Sequence, residues 1–425
     1  MRLRTLMTAM LSVIVMVSCG SKGEEKDNRV RRNLNKELTN EMSDTSSLTK
    51  MDREISTFMS KYDIKGMSVS IMRNDSLFYA KGYGLADAEK GTEMTPGTIM
   101  RVASVSKLIT AVGIMKLQEQ GKLSLSDKVF GPEGILCDTV YTSAITDKRY
   151  FDITVEHLLR HQGGFSTRAG DPMFSTLTMM AVHHLDAPPT HAQLIEGEIA
   201  RKLKFDPGKS QDYSNFGYMI LSEIIEAVTG QEYEKWMQKN VLKPAGCEDM
   251  HIAYNYYDKR YKNETRYHMH SNDDPVKEYT GSGRDVVRCY GGNDIRALAG
   301  AGAWVTSTPE LMRLVASIDG RPWVPDILSA ESVHEMTRYI DKNTYGLGWN
   351  DTNPVVGWSR TGTFSGTNAL VKYFPDGECW ILVTNTGSWM GPRFSNYMTQ
   401  LVSKLRGSYG KSFPARDFFY LDEPR

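Results

Sequence analysis

The stretch from Ser104 to Gln120 constrains this chain more than any other. Val105, Leu108, Ile109, Val112, Ile114, Met115 and Leu117 cover most of a helix's circumference, and Gly121 ends the run. A helix that is apolar most of the way round is stable only when buried. The fold must therefore wrap other elements around it. Ser104 and Lys107 stand at its head, and residues three apart share a helical face. A lysine amine is thus placed beside a serine hydroxyl at the edge of a core.

The flanking text supplies the wrapping. Leu48, Met51, Ile55, Met59 and Tyr62 recur at helical spacing. Met67, Val69 and Ile71 then alternate with serines at strand spacing, and a second strand follows over 77–83 after an Asn74-Asp75 turn. Towards the C-terminus, 303–306, 345–349 and 355–358 are short apolar runs in strand-rich text. Residues 369–374 and 378–384 flank Pro375-Asp376-Gly377, a hairpin signal. A last helix covers about 393–405. Between about 126 and 294 the pattern mixes helices with polar loops, including a helix over 221–228 ended by Gly230 and a hydrophilic loop region over 254–275. The expected fold is α+β: one antiparallel sheet built from N- and C-terminal segments (about 48–125 and 295–410), flanked by helices. A mostly helical inserted subdomain (about 126–294) packs alongside. A crevice between two such lobes is the natural place for a site. Residues 411–425 read as a C-terminal tail.

Composition narrows the class. The 425 residues carry 51 basic and 51 acidic side chains, so the basic excess of a nucleic-acid binder is missing. A hydrophobic content of 40% with 24% charged residues suits a folded domain. Five cysteines are too few for a disulfide scaffold at this length. At the N-terminus, Arg2 and Arg4 precede an apolar run over 6–17, too short to span a bilayer. Ser18, Cys19 and Gly20 follow. This is the pattern of an export signal over 1–18. Met16-Val17-Ser18-Cys19 resembles a bacterial lipobox, which makes Cys19 the lipidation site; an ordinary cleaved signal with an incidental cysteine is the alternative. The polar, acidic stretch 21–26 loosely resembles the surface-export tag of some bacterial lipoproteins. The chain is thus expected to be exported and lipid-anchored to the bacterial envelope, at the outer membrane or cell surface, and otherwise periplasmic. Residues 19–47 read as a polar tether. Cys137, Cys247, Cys289 and Cys379 show no CxxC spacing and read as buried thiols, or at most one or two bridges.

Three segments carry chemistry. In Ser104-Val105-Ser106-Lys107, the serine needs a base to become a nucleophile. A lysine serves if burial lowers its pKa. Free backbone N–H groups in a first helical turn can hold an oxyanion. The bland alternative is a helix cap and a surface charge, and Ser47–Lys50 and Ser408–Lys411 match the same spacing in polar text. However, Lys107 runs straight into Leu108 and Ile109, where an unassisted charge is costly. Tyr213-Ser214-Asn215 follows Asp206-Pro207-Gly208 and precedes an apolar helix. Its phenol can exchange protons with a serine, and its asparagine can bind an amide or ester oxygen. Tyr261-Lys262-Asn263 matches as well, and a structural tyrosine is the alternative. Arg360-Thr361-Gly362-Thr363 follows the run 355–358 and reads as a strand edge lining a cleft. Gly362 allows close backbone approach. Arg360 can bind a carboxylate or organise charge.

In their order and contexts, the three segments resemble the active-site motifs of the serine β-lactamase and penicillin-binding-protein superfamily. The likeness is to its class C-like branch of class C β-lactamases, DD-peptidases, D-aminopeptidases and family VIII esterases. Flanking text is similar too: Ile64–Val69 and Lys81–Gly84 resemble the opening strands, Thr98–Ala103 the lead into the nucleophile, Ile153–His161 a mid-domain helix, Phe205–Asn215 the approach to the tyrosine, and Phe374–Asn385 the closing hairpin. The resemblance covers about residues 50–405. It implies that Ser104 is the acylated nucleophile, that Lys107 and Tyr213 share the proton work, and that Asn215 positions substrate. The N–H groups of Ser104 and Thr363 would form the oxyanion hole, and Arg360, Thr361 and Gly362 would fill the Lys-Thr-Gly or His-x-Gly slot. It implies no cofactor and no metal, a small ester or amide or a peptidoglycan-like peptide as substrate, and a monomer that meets the membrane only through its lipid.

Two positions depart from the pattern. Arginine stands at 360, where it stays protonated and cannot shuttle protons but can still hold a carboxylate. His161-Gln162-Gly163-Gly164 replaces the usual His-Thr-Ser-Gly, which implies local repacking. The expected function is a serine hydrolase working through an acyl-enzyme on an ester or on an amide of a small D-amino acid. A class C-type β-lactamase and a non-hydrolytic penicillin-recognising protein are the alternatives. A metallohydrolase fits poorly: His183-His184 and His268-x-His270 lack a partner carboxylate at ligand spacing, and His334–Arg338 lacks the second histidine of a zinc-protease helix. Gly362–Gly366 misses the α/β-hydrolase elbow by one residue.

Overall fold

The structure is a computed structural model and describes residues 29–166, 170–270 and 273–421. The expected signal segment 1–18 and Cys19 lie outside these residues. Seven strands make one sheet: β1 (Gly66–Arg73), β2 (Ser76–Asp87), β3 (Thr92–Glu93), β4 (Asp351–Asn353), β5 (Gly357–Phe364), β6 (Thr367–Tyr373) and β7 (Glu378–Thr384). Their order is β3-β2-β1-β7-β6-β5-β4. The sheet is antiparallel and built from both chain ends, as expected. The N-terminal hairpin joins the C-terminal one where β1 pairs with β7, from Met67↔Thr384 to Arg73↔Glu378. Gly377, at φ +83°, makes the turn between β6 and β7, a conformation that favours glycine.

Strand periodicity of two sorts the side chains onto two faces. Val69, Ile71, Leu370, Trp380 and Leu382 share a core with Met51 and Ile55 of the helix Thr49–Lys61 and with Met398 and Val402 of the helix Phe394–Tyr409. The alternating residues Ala369, Val371, Ile381 and Val383 belong to a larger core with Leu108, Val112 and Ile114. The serines of β1 do not face water. Ser68 Oγ and Ser70 Oγ each lie 2.8 Å from Thr308 Oγ1, at the start of a helix (Thr308–Ala316) that covers this face.

The apolar helix runs over Ser106–Glu119, and apart from Lys116, Gln118 and Glu119 all of it is buried. Each large side chain so buried contributes about 1.5–3 kcal/mol. The helix Asn215–Thr229, which includes the expected 221–228 segment, packs against it. The middle of the chain is less helical than its pattern suggested. After Ala245, among the described residues, it holds only two-residue strands and short 3-10 turns up to Trp304. Side chains satisfy the backbone there instead, as where Asn255 Oδ1 accepts from Ile295 N (2.8 Å) and Tyr290 OH accepts from Tyr267 N (2.7 Å). Residues 345–349 are loop rather than strand, and Val355 and Val356 lie exposed in the turn before β5.

Two boundary expectations need correction. Residues from 29 onward are not a free tether, and those up to 421 are not a free tail. Leu34 and Leu38 are buried, as are Phe418, Phe419 and Tyr420. The two ends also meet each other: Arg32 N donates to Phe419 O at 3.0 Å, and Arg31 bridges Tyr420. A few apolar residues in polar text carry no period, so only the tertiary meeting of the ends reveals them. Cys247, Cys289 and Cys379 are buried, Cys137 is exposed, and all four are free thiols. Replacing Leu34, which is 1% exposed, with alanine should lower stability by about 2–4 kcal/mol in urea unfolding; a flexible tether would show no change.

Candidate active site

Ser104 does not open the long helix. It sits in a 3-10 turn, Ala103–Val105, immediately before it. Ala103 holds a φ of 48°, a strained value for a residue with a Cβ. The i, i+3 spacing still delivers Lys107 to it. Lys107 Nζ lies 3.2 Å from Ser104 Oγ, 2.7 Å from Asn215 Oδ1 and 2.6 Å from the Ala301 carbonyl oxygen. Tyr213 OH donates to Ser104 Oγ at 2.7 Å. Three segments far apart in sequence thus meet around one hydroxyl.

The electrostatics follow from burial. Lys107 is wholly buried, and desolvation lowers its pKa to about 8, against an opposing pull from Tyr213; Arg360 pushes it further down. Burial alone would raise Tyr213, but Lys107 and Arg360 beside it bring the phenol below its usual value. An amine and a phenol that both lose protons more readily are suited to taking a proton from serine.

Arg360 occupies an unexpected position. It does not reach into the cleft to hold a carboxylate: it is 0% exposed, Nε donates to the Ser104 carbonyl at 2.7 Å, and Nη2 donates to Tyr213 OH at 3.2 Å. Strand alternation is the reason. On β5, Arg360 and Gly362 point inward, whereas Thr361 and Thr363 line the cleft. Arg360 therefore organises charge beneath the serine, the other role its chemistry allowed. Gly362 packs so tightly against the Ser104 turn that a Cβ would fall 2.2 Å from Val102 O and 3.1 Å from Ser104 N. This contact brings β5, and with it Thr363, alongside the Ser104 amide.

His161 also has a structural place. Its Nδ1 accepts from Ser214 N at 3.1 Å, and its ring stacks 4.5 Å from Tyr213. Burial holds its pKa well below the ordinary value, so it is neutral. The His161–Gly164 segment repacks as a buttress: Gly164 O accepts from Lys204 N at 2.7 Å, and Gly208 N donates to Gln162 O at 3.0 Å. These bonds fix the loop that carries Tyr213.

The cleft beside Ser104 has a volume of about 320 Å³ and includes Phe174, Leu298, Phe364, Asn350 and the two threonines in its lining. Sequence reading missed several of its parts. The Ala301 carbonyl carries no side-chain signal at all. Asn350, whose Oδ1 accepts from both Thr361 N (2.7 Å) and Thr361 Oγ1 (3.2 Å), lies in unremarked loop text. Asp171 accepts from Asn215 Nδ2 at 2.6 Å, and its only sequence signal is a turn-starting Asp-Pro. The rival motifs do not take the form their chemistry needs. Residues Gly362–Gly366 form the end of β5 and a turn, not a strand-to-helix elbow, and among the described residues no group of three or more His, Cys, Asp or Glu is placed to hold a metal.

Comparison with known proteins gives a consistent picture. The beta-lactamase family model matches residues 51–402. Protein flp of Staphylococcus aureus (strain NCTC 8325 / PS 47) is 25% identical over 368 residues, which is 85% of this chain and 68% of that protein. Among solved structures, the D-amino acid amidase from Ochrobactrum anthropi SV3 superposes with a TM-score of 0.65 at 17% identity, covering 87% of this chain and all of that one (100%). The D-alanine carboxypeptidase AmpC from Burkholderia cenocepacia gives 0.63 at 18% identity, covering 85% and 99%. These two likenesses carry the fold. The family match, spanning most of the sequence, carries the assignment: the chain belongs to the beta-lactamase family.

Proposed function

We propose that this protein is a serine hydrolase that works through an acyl-enzyme on an ester or on an amide of a small D-amino acid or peptidoglycan-like peptide. The observation that carries this reading is the Ser104 hydroxyl, held 2.7 Å from a phenol and 3.2 Å from an amine of lowered pKa at the edge of a cleft. Ser104 Oγ attacks the substrate carbonyl as its proton passes to Lys107 or Tyr213. The oxyanion is received by the Ser104 and Thr363 amides. Collapse expels the alcohol or amine, which takes up that proton, and water then hydrolyses the acyl ester. D-amino acid amidase and D-alanine carboxypeptidase among the structural neighbours support the substrate class. The buried Arg360, engaged by Ser104 and Tyr213, weakens the case for a carboxylate-binding β-lactamase.

Ser104→Ala should abolish both labelling by a fluorophosphonate probe and hydrolysis of p-nitrophenyl esters and D-amino acid amides. Labelling of the wild type with no turnover on any of them would instead indicate a binding protein. With Lys107 near 8, only about a tenth of it is neutral at pH 7. The value of kcat/KM should therefore climb about tenfold per pH unit on the acid side and level off above about pH 8. Arg360 lowers both Lys107 and Tyr213, so Arg360→Gln should move this rise to higher pH; a pH–rate profile unmoved by the substitution would refute the electrostatic role. Gly362→Ala must push β5 off the Ser104 turn and should cut kcat/KM by about 10²-fold in steady-state assays, the usual effect of an ångström's misplacement.

A further inference from the structure

Lys107 Nζ has three hydrogen-bond partners within 3.2 Å, beside the Tyr213 phenol, and they are not equivalent. Asn215 Oδ1 and the Ala301 carbonyl oxygen lie at 2.7 and 2.6 Å, and each can only accept a hydrogen bond. A neutral amine has two N–H donors and one lone pair. If both donors serve these oxygens, the lone pair is left for the third neighbour, Ser104 Oγ at 3.2 Å. This arrangement fails if the Asn215 amide is turned over. Its NH2 would then donate to the amine, occupy the lone pair, and leave Lys107 unable to serve Ser104 as a base. The two ends of an amide have nearly the same shape, so packing alone does not choose between them.

Asp171 makes the choice. Its Oδ2 lies 2.6 Å from Asn215 Nδ2, and a carboxylate oxygen accepts but does not donate. The amide nitrogen must face it, so the amide oxygen faces Lys107. The second N–H of Asn215 is left for a substrate oxygen in the cleft it lines. Asp171 is itself held: Oδ1 accepts from Met173 N at 3.0 Å, and Ser175 Oγ donates to its carbonyl oxygen at 2.8 Å. We propose that Asp171 is a positioning residue which, by fixing the orientation of the Asn215 amide, aims the Lys107 lone pair at the Ser104 hydroxyl. The inference rests on acyl transfer at Ser104 and adds a residue that touches neither the nucleophile nor the cleft. The charged and titratable groups that face Lys107 are Tyr213, Tyr218, Arg360, Asp171 and His161. Asp171 is the anionic one and favours the ammonium, so its removal should also ease deprotonation of Lys107.

The test compares Asp171→Ala and Asp171→Asn in the full chain, with acylation of Ser104 by a fluorophosphonate probe followed against pH and thermal unfolding as the folding control. Both variants lose the negative charge, so the rise of the acylation rate should move to lower pH in both. Asparagine can still accept from Asn215 Nδ2 through its amide oxygen, giving up only the bond that Asp171 Oδ1 accepts from Met173 N. Its plateau rate should stay within about 5-fold of wild type, whereas the alanine variant should lose about 10²-fold, the usual contribution of a positioned base. An alanine variant with a wild-type plateau overturns the proposal. So do equal losses in both variants with an unmoved pH profile, which mark a merely structural residue. A wild type that is not labelled at Ser104 sinks the hydrolase reading itself, and this inference with it.

Discussion

The burial of a single amine governs this structure. Lys107 lies at the head of a helix that is buried nearly throughout, with no exposed surface of its own. A cation there would be costly without compensation. The fold supplies oxygen acceptors from two other segments, the Asn215 amide and the Ala301 carbonyl, and the first of these also brings the Tyr213 phenol. The same burial that makes the amine costly also lowers its pKa to about 8, which suits it to accept a proton. Stability and chemistry therefore make opposing demands on one group, and the surrounding oxygens reconcile them.

The meeting of distant segments depends on close backbone approach. Gly362 brings β5 against the Ser104 turn where any side chain would collide with Val102 O. From the other lobe, the His161 ring and its bond from Ser214 N hold the Tyr213 loop in place. Strained backbone gathers at these points: Ala103, His161 and Ala299 all adopt positive φ. Strain of this kind persists only when surrounding packing fixes it, and it is common around reactive groups. Arg360 adds a permanent positive charge beneath both the serine carbonyl and the tyrosine. It lies buried beneath them and not in the cleft.

Much of this was legible beforehand, and the parts that were not share a cause. The paired hairpins, the buried helix and the amphipathic N-terminal helix each announce themselves through a local period. So do Ser104 and Lys107, because i, i+3 spacing acts within one turn. Tyr213 and Asn215 could be named as candidates, but nothing local says that they face Ser104. The ends of the chain read otherwise in sequence because Leu34, Leu38, Phe418 and Phe419 are isolated apolar residues in polar text, buried only when both ends fold back onto the main core. The region after Ala245 departs from its pattern because its backbone is satisfied by side chains rather than by a helix.

The sequence by itself determined which elements form and which side chains have the right chemistry, because periodicity and residue type are properties of short stretches. The tertiary structure alone decided direction. It turned Arg360 inward by the register of β5, brought the Ala301 carbonyl and Asp171 to the lysine and its asparagine partner, and set β5 beside the nucleophile. Direction depends on which segments pack together across long sequence separations, and no local pattern encodes that.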